Sequence, residues 1–129
     1  MNIFWIIAGA FSLLAFFAHS IVGDKEYTEL KPEEGADTKI NQTYIQTRCG
    51  WHWVSVDLLF FAILLFIIGM SDFIEAKNEV SFLICLYFLF CGVSWLVTIM
   101  LNKISNKQVF ILGQWIFCFV MSVLVYFGR

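Results

Sequence analysis

The sequence predicts an all-α integral membrane protein, folded as an up-and-down four-helix transmembrane bundle. Three observations predict it. Of the 129 residues, 60% are hydrophobic and only 14% charged, with a mean hydropathy of +0.82. A soluble domain this small has too much surface to present that composition to water. Second, the apolar residues gather into four runs, roughly Ile3–Val22, Trp51–Met70, Val80–Leu101 and Val109–Phe127. Each is close to the ~20 residues a helix needs to cross ~30 Å of hydrocarbon. Third, the last three runs are joined by connections of seven to nine residues, which force neighbouring helices to pack antiparallel.

The first run, Ile3–Val22, ends near Ala18-His19-Ser20, which loosely resembles a small-x-small cleavage site. No basic region precedes it, however, and the apolar stretch outruns a signal-peptide core. It is expected as a retained span. A polar stretch, residues 23–50, follows in two parts. "GDKEYTELKPEEGAD" carries Pro32 and Gly35 as breakers and reads as an extended surface segment. "TKINQTYIQTRCG" places Ile40, Tyr44, Ile45 and Cys49 at near-helical spacing, with Asp37 or Thr38 as a cap. It reads as a juxtamembrane helix over 37–49, lying at the interface or extending the second span. Asn41-Gln42-Thr43 matches a glycosylation sequon, a tripeptide that matters only on an external face in a secretory pathway.

The spans themselves carry small residues at close-contact spacing, Ala8 with Ser12 and Ser94 with Thr98. Cys49, Cys85, Cys91 and Cys118 form no CxxC pair, and three lie within spans, where cysteine behaves as a small apolar residue. That leaves a thiol-redox enzyme without its motif. The net charge of −2 says little, because the charges sit in the connections. Lys25, Lys31, Lys39, Arg48, Lys103 and Lys107 fall on one side of the membrane, and only Lys77 and Arg129 on the other. The positive-inside rule then places the long connection in the cytoplasm and both termini outside, in what is read as a bacterial inner membrane.

Function has to be read from the polar residues, and these crowd into one leaflet. His19 lies about 5 Å from the long-loop end of the first span, at 1.5 Å per residue. The stretch "CGWHWVSVD", Cys49–Asp57, opens the second span on that side. Gln114 and Trp115 open the fourth there, with Thr98 and Asn102 closing the third. Arg48, His52 and Ser55 stand at i, i+4 and i+7 and share a helix face; Trp53 and Asp57 share another. His52 and Asp57 therefore need partners on other helices, since an ionisable group in hydrocarbon costs at least ~2.5 kcal/mol. His19 is the expected partner of His52, Gln114 that of Asp57, and Arg48 is expected to reach back to Asp24. Trp51 and Trp53 are expected to flank the entrance as part of an interfacial belt. Trp95 and Trp115 lie deeper and suggest an aromatic wall.

With these motifs in view, the chain resembles small uncharacterised bacterial membrane proteins of four spans. The resemblance rests on His19-x3-Gly23-Asp24 ending the first helix, on Arg48, Trp51, His52 and Ser55 opening the second, and on Gln114-Trp115 opening the last. It implies that His19, Arg48 and His52 form a site, and implies no activity.

The resulting expectation is a site made of His19, Arg48, Trp51, His52, Ser55, Asp57, Gln114 and Trp115, binding a small or lipid-like anionic ligand. Histidines there can change charge near neutrality and so sense protons. Three alternatives stand beside it. An accessory subunit would use the same residues to dock a partner helix or a second copy of the chain. Bis-histidine haem ligation would use His19 and His52, as would a divalent metal with Asp24 or Asp57 added. A small enzyme would use His52 or Asp57 as acid–base, although no motif names a reaction. The lipid bilayer is the expected surrounding, and nucleic acid is not an expected partner.

Overall fold

The structure is a computed structural model that describes residues 1–102 and 106–129, with the side chains of 106 and 107 excepted. It is all-helical, 82% helix, with no strand among the described residues. The helices run α1 (Ile3–Phe17), a π-helical segment (Ala18–Gly23), α2 (Asp24–Thr28), α3 (Thr38–Met70), α4 (Lys77–Leu101), α5 (Asn106–Ile111) and α6 (Gln114–Phe127). Three continuous stretches are long and apolar enough to cross a membrane: Ile3–Thr28, Thr38–Met70 and Lys77–Leu101.

Two expected boundaries move outward. The first helix continues past Val22 to Thr28, so the opening of the segment read as extended, Gly23 to Thr28, is helical. The second begins at Thr38 instead of Trp51, because Asp37 caps it: Asp37 Oδ1 accepts the Lys39 backbone N–H at 2.7 Å. The 37–49 stretch is thus a forward extension of the second span. The fourth run departs more. It is broken between Ile111 and Gln114, leaving α6 with 14 residues, or about 21 Å at 1.5 Å per residue, short of the hydrocarbon thickness. Lys103, one of the cations counted above, lies outside the described residues, as does the side chain of Lys107.

The chain divides into two compact units, Gly9–Leu64 and Met1–Ala8 with Leu65–Arg129. In the second, α4 packs on α6. Ser81, Ile84, Cys85, Phe88 and Gly92 line the buried face of α4, against Met121, Ser122 and Val125 of α6. The expected small-residue contact at Ser94 and Thr98 is not used, for both are exposed and Thr98 bonds back to the Ser94 carbonyl. Gly92 serves instead: a Cβ there would stand 3.1 Å from the Phe119 ring and 3.3 Å from Cys118 Cβ. The Ser122 hydroxyl donates to the Cys85 carbonyl at 3.0 Å, a polar tie of the kind that holds helices together where water cannot compete.

At the far end of this unit Asn2 caps α1, accepting the backbone N–H groups of Phe4 and Trp5 at 3.1 and 3.3 Å. Its backbone N–H donates to the Gly69 carbonyl at 2.8 Å and its amide to Gly128. Trp5 donates from Nε1 to the Val125 carbonyl at 3.2 Å. In the connection before α4, Lys77 hydrogen-bonds Asp72 at 2.6 Å and holds that carboxyl below its usual range. Asp72 is fully solvated, so the pair adds little.

The break before α6 explains two tryptophans. Ending α5 frees carbonyls that need donors from elsewhere. Trp95 Nε1 donates to the Leu112 carbonyl at 3.1 Å and Trp115 Nε1 to that of Val109 at 3.1 Å. Their depth is set by the backbone they complete.

Candidate functional site

The unit Gly9–Leu64 brings the first helix against α3 in antiparallel register. Ser12, fully buried, donates to the Leu58 carbonyl at 2.7 Å. Two turns on, His19 Nδ1 lies 2.9 Å from Ser55 Oγ, and then Asp24 meets Arg48 and His52. The π-helical segment makes this series feasible. In an α-helix, residues five apart such as His19 and Asp24 stand about 140° from alignment. Bonding from i to i+5 brings such residues nearly above one another. Both side chains can then face α3.

Asp24 is the hub. Its Oδ1 accepts from Arg48 Nε at 3.0 Å and its Oδ2 from Arg48 Nη2 at 3.1 Å. This is the bidentate fork that suits guanidinium to carboxylate. His52 Nε2 stands 3.2 Å from the same Oδ1. Side-chain exposure rises across the trio, 26% for Asp24, 36% for Arg48 and 47% for His52, so the cluster opens outward.

Beneath it lies a run of rings. His19 and Trp51 stack at 3.8 Å and 10°, and Trp51 Nε1 donates to the His19 carbonyl at 3.1 Å. Trp51 leans on Tyr27 at 5.8 Å, and Tyr27 stacks with Tyr44 at 5.6 Å and hydrogen-bonds Thr47. Gly23 admits the Trp51 ring; a Cβ there would collide with it. The Tyr44 hydroxyl, closed from solvent, lies beside the Arg48 guanidinium without meeting hydrogen-bond geometry. An open groove of about 430 Å³ adjoins the rings, lined by Tyr27, Leu30, Pro32 and Tyr44, with Lys39 on its rim.

Five of the eight expected residues therefore converge: His19, Arg48, Trp51, His52 and Ser55. Arg48 reaches Asp24 as expected. The pairing of the histidines differs, because His52 stands beside Asp24 and His19 bonds Ser55. Trp51 is stacked inside the cluster, while Trp53 is 76% exposed. Asp57 is half-buried on α3, off the face of Ser55. Gln114, exposed, and Trp115, half-buried, belong to the other unit. Asp24 is the site residue underweighted by sequence reasoning, although its acid-after-glycine position was visible.

Among the described residues, no group of three or more His, Cys, Asp or Glu side chains could hold a metal ion. The one carboxylate beside a histidine is forked by Arg48, whose charge repels a cation. No protein-family model, curated protein or solved structure matches the chain.

Proposed function

We propose that this is a membrane protein that binds a small or lipid-like anion at the rim formed by Asp24, Arg48 and His52. The observation that carries the reading is the convergence of a guanidinium fork and an imidazole nitrogen on one carboxylate. Such a guanidinium is already turned toward oxyanions, with Asp24 holding one edge of its fork. Asp24 accepts two of the five guanidinium N–H groups, which leaves three for a second acceptor on the exposed side. The tyrosine-lined groove supports a ligand with an apolar part, since ligand sites pair a few polar groups with an apolar wall.

In this reading α5 and α6 together make an interrupted fourth crossing of an up-and-down bundle. The rim lies at the cytoplasmic headgroup level, as the lysine and arginine distribution favours. The four-span proteins with the Trp-His-x2-Ser pattern would carry the same site.

Purification in mild detergent followed by native mass spectrometry tests the reading. A phosphatidylglycerol adduct near one per chain, with phosphatidylcholine not retained, is the expected result. Equal retention of both lipids, or a Soret band in the absorption spectrum, would replace it with a nonspecific or haem-binding protein.

A further inference from the structure

We propose that the anion binds together with one proton, taken up by His52; this rests on the anion-binding reading above. Charge counting at the rim carries it. With His52 neutral, Arg48 and Asp24 balance, and nothing draws in an external anion. With His52 protonated, the trio holds two cations and one carboxylate, an excess of one positive charge. A singly charged oxyanion, phosphodiester or carboxylate, then completes the cluster without expelling Asp24.

Proximity assigns the ring hydrogen. His52 Nε2 stands 3.2 Å from Asp24 Oδ1, the acceptor beside it, so the neutral ring is assigned its hydrogen on Nε2. The incoming proton adds to Nδ1 and turns that nitrogen from acceptor into donor. The ring's exposure, 47% of its side chain, leaves it accessible to water. The anion thus gains both a charge and a second donor beside the unused guanidinium N–H groups.

The surrounding groups do not cancel this effect. From the first helix the facing groups are His19, Asp24 and Tyr27, and from α3 they are Tyr44, Arg48 and His52. Tyrosine does not titrate near neutrality, and arginine stays charged. His19 is stacked on Trp51 and bonded to Ser55, so its ring is already engaged away from the rim trio.

Isothermal calorimetry of the full chain in detergent tests the proposal. The probes are dihexanoyl-phosphatidylglycerol and dimethyl phosphate, whose single charges are constant across the range, at about pH 5.5 and about pH 8, which bracket the histidine transition. The expected result is binding at least tenfold tighter at the lower pH. In two buffers of different ionisation enthalpy at intermediate pH, about half a proton or more should be absorbed per anion bound. Binding of both probes assigns a headgroup-sized anion, and binding of the phospholipid alone assigns a lipid. His52→Gln should remove the pH dependence, whereas His19→Gln should keep it. Equal affinity at both pH values without proton uptake would overturn the coupling and leave the anion site standing. A pH dependence lost with His19→Gln but kept in His52→Gln would likewise overturn it. Absence of binding by either probe at both pH values would overturn the site and the coupling together.

Discussion

Gly23→Ala is expected to loosen the joint between the first helix and α3, and Gly23→Val to loosen it further. Two effects oppose each other at this position. A side chain in a helix is favoured over glycine by up to ~1 kcal/mol. Against that, a Cβ at Gly23 would run into the Trp51 ring, which cannot swing aside because His19 stacks on one part of it and Tyr27 leans on another. Overpacking of this kind costs roughly 1–3 kcal/mol. Alanine already carries the colliding Cβ, so the clash outweighs the helix gain; valine, bulkier and a poorer helix former, loses more. Thermal unfolding in detergent should rank wild type first, Gly23→Ala below it and Gly23→Val lowest. A Gly23→Val protein as stable as wild type would mean that Trp51 does not pack there.

The second large effect concerns binding. Arg48→Ala should abolish retention of phosphatidylglycerol while lowering stability little, because the Arg48–Asp24 pair is partly exposed and such pairs are weak. Hydrogen bonds to a charged group are worth roughly 1.5–3 kcal/mol each, so losing the anion's share of the guanidinium costs about tenfold or more in affinity. Arg48→Lys should restore little, since an ammonium cannot form the fork. The readout is adduct occupancy by native mass spectrometry at fixed lipid concentration. Unchanged occupancy in Arg48→Ala would detach the anion from this residue.

Part of this arrangement was legible in the sequence. Three helices follow from apolar runs, because hydrocarbon thickness fixes span length. The reach of Arg48 to Asp24 follows from placing two opposite charges at one depth, where each needs the other. The partner of His52 did not follow. An ideal α-helix turns His19 and Asp24 away from one another, and only the π-helical segment brings both to α3. Nothing in "AHSIVG" announces that segment. Trp51 was read as part of a membrane belt, because an indole near the headgroups has that ordinary use. Gly23, the small residue that admits its ring, was the available signal. The break before α6 was hidden for a similar reason: Ile111 and Leu112 continue the apolar run, and Gly113 alone does not stop a helix. What marks the break is tertiary, two indole N–H groups donating to the freed carbonyls. Asp57 and Gln114 were paired by depth alone, and depth does not fix which way a side chain faces.

The central claim is that Asp24 balances the charge of Arg48 at an anion site and so limits what binds beside it. Its most direct test compares wild type and Asp24→Asn for phosphatidylglycerol occupancy by native mass spectrometry at about pH 8. Asparagine keeps the shape and an acceptor for Arg48 but removes the negative charge, leaving the guanidinium unbalanced. The account predicts higher occupancy in Asp24→Asn than in wild type, with phosphatidylcholine unchanged. Occupancy equal to or below wild type, in a protein that remains folded, would contradict it.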